Sequence, residues 1–405
     1  MLTLTQYGVC ARCLTSLLGS TFLLAACHSV PVASPMPAAG SPAVPGIEEA
    51  LAVPPAPLAP PMMQDSPLDL PTPDNDLAAE AAERRGDFDA AREAWQVLAE
   101  AGHAKSQYRL ARLLEEGKGG PPNPAAALSW FKRAAENVYP AAHCRAAALL
   151  LRPPDADPVA ALAHARSGAE AGETACMPML ATLLLEGPAA QRKPADGLRW
   201  LAQAAETGDA ESQFRMGDLL RSGRQGVARD LPRARQWLAL AADEGKLAKA
   251  SQLLAHLYET GLGGKRDAAM AARYYAQAAA AGLGESVNRL GMFYRHGNGV
   301  DKDPARAAAL FTRALALDVA EAAVNLGDLY FLGLGVPRDY SQAMIFYGRA
   351  AERGVPSGLC RQSAMLRFGE GVVRDLQQAQ QLEAKVRARI PTANCRIPLA
   401  KLLHP

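Results

Sequence analysis

Aromatic side chains are scarce in this sequence, at 6% of 405 residues. Any large core must therefore be built from alanine and leucine, a composition that favours helices. Charge of one sign is lacking as well: the formal net charge is +2, which argues against a general nucleic-acid binder. No apolar run reaches the roughly 20 residues that a membrane-spanning helix needs. The seven histidines are scattered, with no two at metal-ligand spacing on a helix, so no zinc site is expected. "GLGGKR" at 261–266 is not a phosphate loop, because a helix precedes it and Arg266 stands where the nucleotide-binding form needs Ser or Thr. "GVPSG" at 354–358 carries its serine in a turn between helices with no strand leading in, unlike a nucleophile elbow. The expectation is a chain that is not an enzyme and has no catalytic residue, metal or cofactor.

What is present begins with a targeting pattern. Arg12 precedes the apolar stretch "CLTSLLGSTFLLAA", and small residues lead into Cys27. Leu24-Ala25-Ala26-Cys27 resembles the lipobox of bacterial lipoproteins. That resemblance implies a signal peptide over 1–26, cleavage before Cys27 and lipidation of its thiol. The rival reading is an ordinary secreted signal peptide with Cys27 incidental. His28 follows the cysteine, and the lack of aspartate there implies, by the same resemblance, the outer membrane.

Residues 28–73 hold 13 of the 30 prolines and no lysine or arginine, with neither helical nor strand periodicity, so 27–73 reads as a lipidated cysteine followed by a proline-rich disordered tether. In polyproline form it would reach at most about 140 Å, at roughly 3.1 Å per residue. The tether carries four acids, and residues 74–405 are left mildly basic at +5.

From residue 74 the chain repeats. A small residue recurs at Ala111, Ala147, Ala181, Gly217, Ala255, Gly291, Gly327 and Ser363, at intervals of 34 to 38. The series Gly102, Val138, Gly172, Gly208, Gly245, Gly282, Asp318 and Gly354 keeps the same step. So does Asp230, Asp267, Asp303, Asp339 and Asp375, each with alanine four residues later. The repeating unit is a pair of helices. In the first, as in "AVNLGDLYFLG", Leu326, Leu329 and Tyr330 form one apolar stripe, and Gly327 admits a close neighbour. Glycine pairs such as Gly333/Gly335 end that helix, and the aspartate caps the second. Trp200, Trp237, Tyr274 and Phe346 are expected to be buried by the second helices. Neither helix hides its apolar face alone, so the units must stack.

The phrases A-x-x-N-L-G-x-x-Y, G-x-G-V, a loop with D, and A-A-E-x-G are readable at 286–318, 322–354 and 212–245. They resemble Sel1-like repeats, relatives of tetratricopeptide (TPR) repeats. That resemblance implies an all-α, right-handed α/α solenoid of Sel1-like/TPR-like helix pairs used for protein interaction. The expected division is a degenerate TPR-like helix pair at 74–104, eight Sel1-like repeats over 105–389 and a C-terminal tail at 390–405. "RPPDADP" at 152–158 lacks the glycine pair, and "GDFDAAREAWQVLAEAG" at 86–102 has no long loop, so both depart from the pattern.

Four cysteines remain in the repeats. Cys144 and Cys176 hold nearly equivalent places in adjacent units, and Cys395 lies almost one repeat beyond Cys360. In an oxidising compartment Cys144–Cys176 and Cys360–Cys395 are the candidate bridges; the alternative is four buried free thiols. Two residues before each small residue stand Arg109, Arg145, Met179, Arg215, Leu253, Arg289, Asn325 and Arg361. By analogy with TPR grooves this column faces a ligand, and Arg109, Arg145, Arg215, Arg289, Asn325 and Arg361 are the groove candidates, suited to an acidic peptide or polysaccharide. The other reading is local ion pairing, with Glu211 and Asp218 at helical spacing from Arg215 and Glu285 from Arg289.

Function is expected to be that of a periplasm-facing outer-membrane lipoprotein that scaffolds envelope proteins, bound to the membrane by its lipid anchor and to no nucleic acid. Residues 77–117, "LAAEAAERRGDFDAAREAWQVLAEAGHAKSQYRLARLLEEG", resemble the opening of the alginate-secretion lipoprotein. This implies exopolysaccharide export, with an outer-membrane β-barrel and polysaccharide-synthesis components as partners. The alternatives are a regulatory or motility adaptor of the envelope and a binder of cell-wall fragments.

Overall fold

The computed structural model describes residues 73–399 and residue 403. The signal segment, Cys27 and the proline-rich tether lie outside the described residues. Among those described there are eighteen α-helices and no strand, arranged as an all-α repeat solenoid. The first pairs are α1 (Pro73–Arg85) with α2 (Phe88–Glu100), α3 (Ala104–Glu116) with α4 (Pro124–Glu136), and α5 (Pro140–Leu150) with α6 (Pro158–Glu170). Next come α7 (Met177–Glu186) with α8 (Pro194–Glu206), α9 (Ala210–Ser222) with α10 (Leu231–Asp243), and α11 (Ala248–Thr260) with α12 (Ala268–Ala280). The last are α13 (Gly284–His296) with α14 (Pro304–Ala316), α15 (Glu321–Leu332) with α16 (Tyr340–Glu352), and α17 (Pro356–Phe368) with α18 (Leu376–Arg389). Each first helix packs on its own second helix, and each second helix on the next first helix.

The repeat letters act as follows. Asp339 accepts a hydrogen bond from the Gln342 N–H at 3.0 Å, and Asp230, Asp267, Asp303 and Asp375 cap their helices in the same way, each cap contributing about 1 kcal/mol. Gly333 ends α15 at φ 70°, a left-handed conformation in which any side chain is strained. A Cβ at Gly327 would lie 2.6 Å from the Tyr347 ring, so the small residue is what allows α16 to seat its tyrosine.

One expectation, the burial of a ring column, needs correction. Trp200, Trp237 and Phe346 are only half-buried; of the four rings named, Tyr274 alone is buried. The fully covered column stands one residue later, at Leu201, Leu238, Tyr275 and Tyr347. One residue turns a helix by about 100°, which moves the preceding side chain from the centre of the pair to its edge, where Phe346 stacks on Tyr330 with centroids 5.5 Å apart. The turn at Gly245 also differs. Positive φ falls on Lys246, at 53°, and Gly245 instead allows a close approach, since a Cβ there would sit 2.3 Å from the Ala210 Cβ. The departure at "RPPDADP" still yields a helix pair. α5 ends after 11 residues without a glycine cap, and Asp157 caps α6 through the N–H groups of Val159 and Ala160.

Candidate functional site

The arginine column lies on the first helices, and all five arginines reach back to an acid on the preceding first helix. Arg109 lies 3.5 Å from Glu83, Arg145 3.9 Å from Glu115, Arg215 2.9 Å from Glu186, Arg289 3.8 Å from Glu259 and Arg361 2.6 Å from Asp328. Asn325 donates to Asn288 Oδ1 at 2.9 Å, while Met179 and Leu253 are half-buried in the same column. The local pairing read from helical spacing holds for Arg289, 3.3 Å from Glu285, but not for Arg215, since Asp218 pairs with Arg221 and Arg224 instead. The geometry is regular: Glu83, Glu115 and Glu259 each stand four residues after a small residue, level with the arginine of the next unit. Where the arginine is about a third exposed or more, as at Arg109, Arg145 and Arg289, such a pair contributes about 0–1 kcal/mol. These pairs set the register between repeats more than they add stability.

Among the described residues, Asp328 and Glu383 are the acids buried as whole residues. Asp328, 2% exposed, accepts from Tyr347 Oη at 2.9 Å, from Arg361 Nε at 2.6 Å and Nη2 at 3.1 Å, and from Arg295 Nη1 at 3.2 Å. It thus ties three consecutive helix pairs together. Burial works against the Arg361 charge, but the Asp328 hydrogen bond and charge outweigh it and hold the guanidinium above its ordinary value. Burial, with the Asp328 charge beside it, pushes the Tyr347 hydroxyl up. The second carboxylate, Glu383, occupies the column that holds Tyr275, Phe311 and Tyr347 in the three preceding pairs. It accepts from Arg367 Nε at 2.7 Å, Arg396 Nε at 3.0 Å and Ser363 Oγ at 3.3 Å. Burial raises its pKa, yet Arg396 and Arg367 together hold it below the usual carboxylate range. Sequence reasoning missed both centres; the one available signal was a glutamate in a ring column.

The structure joins Cys144 to Cys176 with Cα atoms 5.0 Å apart, and Cys360 to Cys395 at 4.8 Å. The first bridge ties α5 to the 3-10 turn Thr174–Cys176 that leads into α7; the second ties α17 to the tail. Beside the first, His143 and His164 face each other with Nδ1 atoms 3.0 Å apart. Burial lowers both, and for His164 the His143 ring adds to the effect. Among the described residues no group of three or more His, Cys, Asp or Glu is placed to hold a metal ion, and no helix is long and apolar enough to cross a membrane.

The family model for the Sel1 repeat matches residues 104–139, 175–209, 210–246, 248–283, 284–319, 320–355 and 358–382, more than half of the chain. The α5–α6 pair, with "RPPDADP", falls between two of these matches. Among solved structures, a protective antigen of uropathogenic Escherichia coli with an SLR fold is 28% identical, with a TM-score of 0.66, over 74% of this chain. The match spans 64% of that protein, slightly under two thirds of its length. A Sel1 repeat protein from Oxalobacter formigenes is 26% identical, with a TM-score of 0.52, over 70% of this chain and 86% of that one. No curated protein matches the chain.

Proposed function

The chain belongs to the Sel1 repeat family, and from that premise we propose that it is a lipid-anchored scaffold that gathers proteins of the bacterial envelope. The fold is one used for protein–protein interaction, and repeat proteins of this kind are typically not catalysts. The observation that carries the reading is the face made by the first helices. Ion pairs cross between successive first helices at α1–α3, α3–α5, α7–α9 and α11–α13 and register those helices side by side. Each arginine of the column already has an acid, so the column does not line that face with bare positive charge. The face therefore suits a polypeptide with both signs of charge better than an acidic polymer.

The finer parts of the proposal rest on the sequence. The Leu24-Ala25-Ala26-Cys27 pattern supports lipidation at Cys27 and an outer-membrane position facing the periplasm. The likeness of residues 77–117 to the alginate-secretion lipoprotein supports export of an exopolysaccharide as the assembly served.

The test is crosslinking in cells followed by capture of the protein from envelopes, comparing wild type with Arg109→Glu, Arg145→Glu and Arg289→Glu combined. Recovery of an outer-membrane barrel or synthesis component by wild type and its loss in the variant is the expected result. Recovery of sensor, motor or cell-wall proteins alone would replace the export reading, and recovery unaffected by the variant would move the interface off this face. Labelled fatty acid should enter wild type and not Cys27→Ala; label in neither would end the anchor proposal.

A further inference from the structure

The segment after α18 is held more firmly than a loose end requires. Of residues 391–399, only Cys395 and Leu399 are buried, and each marks an anchor. Cys395 is bonded to Cys360 in the first half of α17. Arg396 Nε lies 3.0 Å from Glu383 Oε2. The Leu399 N–H donates to Glu370 Oε2 at 2.7 Å, just past the end of α17, and the Leu399 side chain joins the cluster of Ala364 and Met365 from α17 and Phe331 from α15. The segment therefore runs along α17 and across α18, in the position that the first helix of a next pair takes elsewhere in the stack.

Glu383 shows what this end is built for. In the three preceding pairs a ring fills that column. A carboxylate there has instead one guanidinium from its own pair, Arg367, and one from the incoming segment, Arg396. We propose that the end of the stack formed by α17 and α18 is a docking site for an extended polypeptide carrying arginine and, three residues on, a leucine-sized side chain. Residues 391–399 are its resident occupant, and the Cys360–Cys395 bridge is the latch. The carboxylate recognises the guanidinium, Glu370 takes a backbone N–H, and the apolar seat fixes the register.

The latch is the accessible one of the two bridges. Cys395 is as covered as Cys144, each 7% exposed, but its partner Cys360 is half-buried while Cys176 is 0% exposed, so a dithiol reductant has its approach at Cys360. Exchange passes two electrons and two protons to its sulphurs, leaving two thiols here and a disulfide in the reductant. The segment is then kept only by its non-covalent contacts and its tethered concentration, and an outside peptide of the same chemistry can compete with it. This inference does not depend on the scaffold reading, because the occupant belongs to the chain itself.

The experiment uses the full-length chain and a fluorescent peptide of residues 391–403 bearing Cys395→Ser, followed by anisotropy. The full-length variant Cys395→Ser with Leu399→Asp should bind the peptide at least about tenfold more tightly than oxidised wild type does. Peptides with Arg396→Ala or Leu399→Ala should lose about tenfold in affinity. Equal binding by both chains, or none by a variant whose circular dichroism melt matches wild type, overturns the proposal. Should the variant lose its fold, wild type is titrated with dithiothreitol while opening of Cys360–Cys395 is followed by alkylation and mass. Peptide binding must then rise in step with opening, and opening without binding refutes the site.

Discussion

Val138 has φ 60° and is 80% exposed, a conformation that costs a β-branched residue roughly 1–2 kcal/mol. Glycine stands at the matching turn in Gly102, Gly172, Gly208, Gly282 and Gly354. Val138→Gly should therefore stabilise the protein by about 1 kcal/mol in urea titration, less the extra chain entropy of glycine. Gly327→Ala should act the opposite way, costing about 1–2 kcal/mol, because its Cβ meets the Tyr347 ring. The facing pair His143 and His164 gives a pH dependence. Both are lowered from 6.5, so below that pH the unfolded chain binds more protons than the folded one, and stability falls as the pH drops. Lys132 adds to the lowering of His164 and Glu136 opposes it, both from α4. The loss of melting temperature between about pH 7.5 and about 5.5 should shrink in His164→Asn; an unchanged loss would place the sensitivity elsewhere.

At the scale of helices, the least regular joint is the one around α5 and α6, which lacks the glycine pair and falls outside the family matches. It also carries the bridge Cys144–Cys176, closing a separation of 32 residues. Removing that bridge with Cys144→Ser and Cys176→Ser should cost about 3 kcal/mol, read as faster hydrogen exchange over α5 and α6. Denaturing alkylation without reductant should label none of Cys144, Cys176, Cys360 and Cys395 in protein matured in an oxidising compartment; four labelled thiols would leave these joints unbridged. The helix pairs were readable in the sequence because their causes are local: a capping aspartate, a glycine at positive φ and an apolar stripe all act within one unit. The partners of the arginine column were not, since Arg361 and Asp328 are 33 residues apart. Their meeting depends on the offset at which one helix lies beside the next, and helical spacing along a single helix carries no information about that offset. The same limit hid Arg396 beside Glu383, where only a carboxylate in a ring column gave a sign.

For the whole molecule, stacked pairs make stability a sum over neighbours, and Asp328 concentrates part of that sum by joining three pairs. Asp328→Ala leaves the buried Arg295 and the half-buried Arg361 without their acid and should cost about 3–5 kcal/mol. Because the loss is confined to α13–α17, urea unfolding should change from one transition to two, with the C-terminal repeats melting first; a single shifted transition would mean the stack unfolds as one unit. The two bridges also bear on what happens when the protein is pulled. Each encloses about one repeat, 32 residues in one and 35 in the other, and chain inside a covalent loop cannot pay out under load. A chain stretched between its ends would fall short of its full contour by about 100 Å per bridge, length that a thiol reductant restores one repeat at a time.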